Sequence, residues 1–159
     1  MRMDVRYINP FVVATQKVFK TMLNMDISMT KPVLKQERKA SGDITGVMGL
    51  SGDKKGAVTV SFKRKGALFI YSTLMGDQCN ELNPEVIDAI GELTNIISGQ
   101  ARKELEREGL NIKAAIPIVI TGDKIETSFI TKLPIVSLPF SFSVGNGNRE
   151  FIYVDFSFE

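Results

Sequence analysis

Histidine and tryptophan are both missing from this 159-residue chain, and cysteine occurs once, as Cys79. Without histidine there can be no Ser-His-Asp triad and no His-containing zinc site, and a lone thiol cannot close an intrachain disulfide. Cys79 lies in the polar run GDQCNELNP with no partner base in view, so it reads as a passive thiol. Long apolar runs are also missing. No stretch approaches the roughly 18 residues that mark a membrane span, and the opening MRMDVRYINPF holds no apolar signal core. A cytoplasmic protein with no membrane partner is expected. Charge of one sign is scarce: 20 basic against 18 acidic residues leave a net +2, too little and too dispersed for nucleic-acid binding. The densest basic cluster, Lys63-Arg64-Lys65, reads as a solvated turn, with contact to an acidic partner as the alternative.

What remains is ordinary globular composition, 43% hydrophobic and 24% charged, in a length that suits a single domain over residues 1–159. Asn-Pro occurs at 9–10 and again at 83–84, each time ahead of a helical pattern. Asparagine is a good N-cap, and proline at the first helical position gives up no needed N–H. The first helix is therefore expected from Pro10 to Met25. The second is expected from Pro84 to Glu108, stopped by Gly109. Both lead into extended segments holding a proline, MDISMTKPVL and LNIKAAIPIVI, and then into residues that alternate in period two. Strands are expected at 44–50, 56–62, 125–133, 135–144 and 150–158, and a shorter helix at 65–75. The parallel order suggests two pseudo-repeats, about 8–80 and 82–159. The fold class is α+β: an antiparallel sheet with two long helices packed on one face. The strands at 135–144 and 150–158 are candidates for pairing across a two-fold axis.

The second helix is oddly composed. At ~100° per residue, Val86, Ile90, Leu93, Ile97 and Ala101 form its core stripe, while Asp88, Glu92, Asn95 and Gly99 share the opposite face. Glu92 has no cation at i±3 or i±4, and its pairing with Asp88 costs a few tenths of a kcal/mol, roughly. Two glycines within the helix each cost about 1 kcal/mol relative to alanine. Downstream, Arg102, Lys103, Glu104, Glu106 and Arg107 mix signs as a solvated face does. Gly91, Ser98 and Gly99 are expected to keep the helix low around two projecting polar groups, a shape suited to another protein's approach. The alternative is that the glycines serve close packing inside the fold and that Glu92 and Asn95 are ordinary surface residues.

The stretch AIGELTNIISGQA (89–101), with Asp88 before it, Pro117 beyond and KLP at 132–134, resembles the CheC/CheX/FliY family of chemotaxis phosphatases. That family's signature is an acid or serine, three residues, Glu, two residues, Asn, and a distant Pro. Asp88, Glu92, Asn95 and Pro117 match it position by position. Aligning the two Asn-Pro pairs sets Val18 against Glu92 and Thr21 against Asn95, so the first helix carries no second copy of the site. This is similar to the single-site CheX branch. The resemblance implies a homodimer that dephosphorylates the aspartyl phosphate of a CheY-type response regulator. By the same resemblance, Asn95 orients the attacking water and Glu92 docks on the regulator's lysine. Asp88 supports them and Pro117 braces the nearby loop. The resemblance implies no cofactor of the chain's own, because Mg²⁺ comes with the regulator.

Two other readings are weighed: a non-catalytic dimeric binder or scaffold for receiver domains, and a hydrolase using Asp88 and Glu92 as a carboxylate pair. The latter lacks an enclosing pocket, since both acids sit on an exposed helix face.

Overall fold

The computed structural model describes residues 4–123, 125–126 and 134–158. Helix α1 (Val5–Leu23) comes first, followed by the short strands β1 (Ser28–Met29) and β2 (Val33–Lys35). The hairpin β3 (Ile44–Gly52) and β4 (Gly56–Phe62) leads into α2 (Arg64–Met75) and α3 (Pro84–Arg107). Short β5 (Ile112–Ala114) and β6 (Ile118–Thr121) precede a second hairpin, β7 (Ile135–Gly145) and β8 (Asn148–Phe158). The strand expected at 125–133 lies outside the described residues save for Ile125 and Glu126, the latter bridged to Lys39.

All strands among the described residues join one antiparallel sheet in the order β1-β7-β8-β4-β3-β5, with β2 also on β7 and β6 also on β3. The expected antiparallel α+β architecture is present. Each proline-bearing extended segment supplies a pair of short strands, β1 and β2 against β7, and β5 and β6 against β3. Exchanging β3–β4 for β7–β8 and these short pairs for each other leaves the strand order unchanged. One expectation is corrected here. β8 is flanked on both sides, by β7 and β4, and β7 lies between β8 and the pair β1 and β2. β8 therefore offers no open edge to a second subunit, and most of β7 is covered.

Period-two alternation sends Met48, Val58, Val60, Phe62, Leu138, Phe140, Ile152, Val154 and Phe156 to the helix-covered face, where all are buried. Phe11 of α1 stacks on Phe156 with centroids 4.3 Å apart, and Phe19 packs on Phe142 at 5.7 Å. The opposite face carries buried polar residues instead: Thr45, Thr59, Ser61, Ser137, Asp155 and Ser157. There Lys35 Nζ donates to Asp155 Oδ2 at 2.9 Å, and Ser137 Oγ donates to Asp155 Oδ1 at 2.5 Å.

The first helix starts earlier than its Asn-Pro pair suggests. Asp4, not Asn9, is its N-cap, accepting from the Arg6 N–H at 3.0 Å, and Pro10 sits inside the helix. An interior proline forfeits one backbone hydrogen bond near the start of the helix. Burial of Ile8 and Pro10 against the core holds the extra turn in place. Lys63, Arg64 and Lys65 are exposed, but they open α2 rather than form a turn. Cations are unfavourable at a helix N-terminus, and the Asp43 carboxylate offsets them by accepting from the Arg64 N–H at 2.7 Å.

Candidate functional site

The helix α3 begins and ends on strong local signals. The Asn83 side chain accepts from the Val86 N–H at 3.0 Å, and Pro84 opens the first turn. At the other end Gly109 adopts φ +88, while the Gly109 and Leu110 N–H groups bond to Glu106 O and Leu105 O. This is the left-handed termination that glycine permits at least cost. Val86, Ile90, Leu93, Ile97 and Ala101 are fully buried, so the opposite face is the one that meets solvent.

Asp88, Glu92 and Asn95 are exposed on that face. Glu92 and Asn95 stand three residues apart, about one turn along the axis. Neither Asp88 nor Glu92 enters an ion pair among the described residues. On the N-terminal side of Asn95, Asp88 and Glu92 border a groove of ≈ 700 Å³ between α3, α2 and the end of α1. Its floor is apolar, with Met22, Tyr71 and Leu74, while Asp77 and Glu85 add further carboxylates and no Lys or Arg among the described residues lines it.

The small residues of α3 behave differently from expectation. Gly91 and Ser98 are buried, and only Gly99 lies on the open side. A Cβ on Gly91 would stand 3.1 Å from Val119 Cγ2, so that glycine lets β6 pack beneath the helix. Close packing is the correct reading there because α3 leans on the sheet along the face that Gly91 shares with Thr94 and Ser98. Thr94 also points inward, donating from Oγ1 to Ile90 O at 2.8 Å. It sits against Gly46 of β3, where an added Cβ would come within 2.0 Å of Thr94 Oγ1. Gly46→Ala is therefore expected to destabilise the protein by about 1–3 kcal/mol through overpacking. Adding Thr94→Ala should restore part of that, and urea denaturation of the single and double variants measures both. Pro117 is half-buried in the link between β5 and β6, two residues before the Val119 that supports Gly91.

The helix thus offers an outward acid and an outward amide one turn apart, held on a seat that neither can leave without disturbing β3 and β6. Such a pair can grip a cation and aim a water, and the groove beside Glu92 is open to solvent rather than closed over its acids. The family model described as "Chemotaxis phosphatase CheX" matches residues 44–141, which include the whole of α3. The chain belongs to the CheX family. The CheY-P phosphatase CheX of Thermotoga maritima is 29% identical over 137 residues, 84% of this chain and 88% of that protein. The crystal structure of CheX from Desulfovibrio desulfuricans shares 35% identity at a TM-score of 0.85, covering 96% of this chain and 99% of the other. A CheX–CheY–BeF3–Mg²⁺ complex from Borrelia burgdorferi is 26% identical with a TM-score of 0.80, covering 99% of each chain.

Sequence reasoning missed the ionic character of the helix beyond Asn95. Arg102, Lys103 and Lys113 of β5 surround a recess of ≈ 530 Å³ beside Gly99. On the helix alone these cations are diluted by neighbouring acids. The pairing of β5 with β3 is what brings Lys113 to the same place, a non-local fact that no helical pattern encodes.

Proposed function

We propose that this CheX-family protein hydrolyses the aspartyl phosphate of a CheY-type receiver domain, with Asn95 aligning the attacking water and Glu92 pairing with the receiver's active-site lysine. The observation that carries the reading is the exposed, unpaired Glu92 one turn from the exposed Asn95, on a helix that matches the family pattern. An acyl phosphate is already activated, so the barrier lies mainly in aligning a nucleophile with phosphorus and in spreading charge over the phosphoryl oxygens. The Asn95 carbonyl oxygen accepts from the water O–H and turns the water's lone pair toward phosphorus. The P–O bond to the aspartyl carbonyl carbon's oxygen breaks, the carboxylate leaves, and the water's proton passes to solvent with inorganic phosphate. The receiver brings the Mg²⁺ and the lysine, and this chain supplies no cofactor. Asp88 strengthens the negative potential around Glu92, and Pro117 keeps β6 under the helix. The proposal includes a cytoplasmic homodimer, supported by the likeness to the CheX branch and measurable by light scattering.

The test is the decay of radiolabelled phospho-receiver with and without the protein. Acceleration by catalytic amounts is the expected result. Capture of the phosphorylated receiver with unchanged decay would select a scaffold instead. Glu92→Lys should weaken binding by about tenfold or more, because it sets a cation against the receiver's lysine. Titration with a trifluoroberyllate-loaded receiver reads this directly, and unchanged affinity would exclude the docking pair.

A further inference from the structure

The outward ridge of α3 changes sign along its length. Before Asn95 it carries Glu85, Asp88 and Glu92, and beyond it the recess beside Gly99 carries Arg102, Lys103 and Lys113 against, among the described residues, one acid, Glu106. Arg102 follows Asn95 by two turns and shares its stripe. Its guanidinium lies back across the helix, with Nη2 3.8 Å from the point where a Cβ on Gly99 would stand. The Arg102 head group thus lies beside Gly99, on the Asn95 side of its own Cα. Arg102 Nε is buried with no hydrogen-bond partner among the described residues. Glu106, four residues on and lining the same recess, makes no ion pair with it among the described residues. None of Arg102, Lys103 and Lys113 takes part in an ion pair among the described residues.

We propose that this recess is an anion subsite that seats acidic side chains from the receiver's phosphorylation face and so fixes which way round the receiver lies on α3. The inference rests on the phosphatase reading and deepens it. A face that binds Mg²⁺ beside a phosphoryl group gathers carboxylates and phosphoryl oxygens around one divalent cation, and their combined negative charge exceeds that of the ion and the lysine. A helix that were acidic throughout would repel it. Here Glu92 meets the lysine while Arg102, whose guanidinium reaches back to Gly99, and Lys113 meet the carboxylates, two contacts of opposite sign about 10 Å apart along the axis. Turning the receiver end for end would set like charges together at both places, which supplies orientation as well as attraction. Asn95 lies between the two contacts and is aimed at phosphorus in one orientation only. Arg102 and Lys113 are positioning residues and touch no reacting atom.

The experiment is steady-state hydrolysis of the phospho-receiver by wild type, Arg102→Glu, Arg102→Lys, Lys113→Glu and Asn95→Ala, between about 50 and about 300 mM NaCl. Each charge reversal is expected to raise KM about tenfold, change kcat by less than about twofold, and flatten the salt dependence. Arg102→Lys should stay near wild type. A merely structural Arg102 would lower the melting temperature of its variants and leave Lys113→Glu, on a separate strand, unaffected, which would overturn the subsite. If Arg102→Glu does not fold, Lys113→Glu decides alone. Unchanged KM in the reversals while Asn95→Ala abolishes turnover refutes the subsite and spares the phosphatase reading. Full activity in Asn95→Ala brings down both.

Discussion

Asn95→Ala is expected to return the phospho-receiver to its unassisted rate of decay, a loss of about 100-fold or more in kcat, with the fold intact. The side chain is exposed and its amide has no hydrogen-bond partner among the described residues, so removing it leaves nothing unsatisfied inside the protein. Alanine also favours helix over asparagine, so stability should hold or rise slightly. Because the amide acts only on the water in flight to phosphorus, binding of a trifluoroberyllate-loaded receiver should be nearly unchanged while turnover disappears. That separation distinguishes Asn95 from Glu92, whose reversal acts on affinity. Retention of turnover in Asn95→Ala would refute the assigned role, and loss of binding alongside turnover would make Asn95 a docking residue.

The second large effect lies on the other face of the sheet. Asp155→Ala is expected to cost about 3 kcal/mol, because it leaves Lys35 as an uncompensated buried cation. The two side chains are only 3% and 15% exposed, and Lys35 Nζ also donates to Lys39 O and Ser41 Oγ, so the ammonium is held in place. Replacing both partners by apolar residues, Lys35→Met with Asp155→Leu, should be close to neutral or stabilising, since it removes two desolvated charges together. Burial raises the Asp155 carboxyl above its ordinary 3.8, while Lys35 and then Ser137 pull it back down. For an acid raised in the folded state, the contribution to stability is complete below 3.8 and is lost as pH climbs through the folded value. The margin of wild type over Asp155→Asn, which has no such titration, should therefore narrow with rising pH across that window. Urea melts of both proteins at several pH values measure it, and a margin that widens would show that Lys35 outweighs burial.

Legibility in the sequence followed the locality of each signal. Helix α3 was readable almost to the residue because its cap, its first-turn proline and its terminal glycine are all within the segment itself. The same Asn-Pro cue misled at α1, where a tertiary contact through Ile8 overrides it and Asp4 takes the cap. β1, β2, β5 and β6 are too short to show a period and are defined only by the long strands they flank. The outward placement of Glu92 and Asn95 followed from helical angle alone. The roles of Gly46 and Gly91 did not, since each depends on a neighbour from another element pressed against it.

The position of β8 has a bearing on how the protein is made. This last strand lies between β4 and β7, and Phe62 pairs with Ile152 while Gly56 pairs with Phe158. When ribosomal synthesis has passed α3, the middle of the sheet is still missing, and the hairpin β3–β4 has no partner along the β4 edge. Pairings this distant in sequence impose a slow search and expose apolar strands while it lasts. The sheet is therefore closed only when β8 threads into that gap, whereas β3 and β6, the strands directly beneath the helix bearing Glu92 and Asn95, are already made by then.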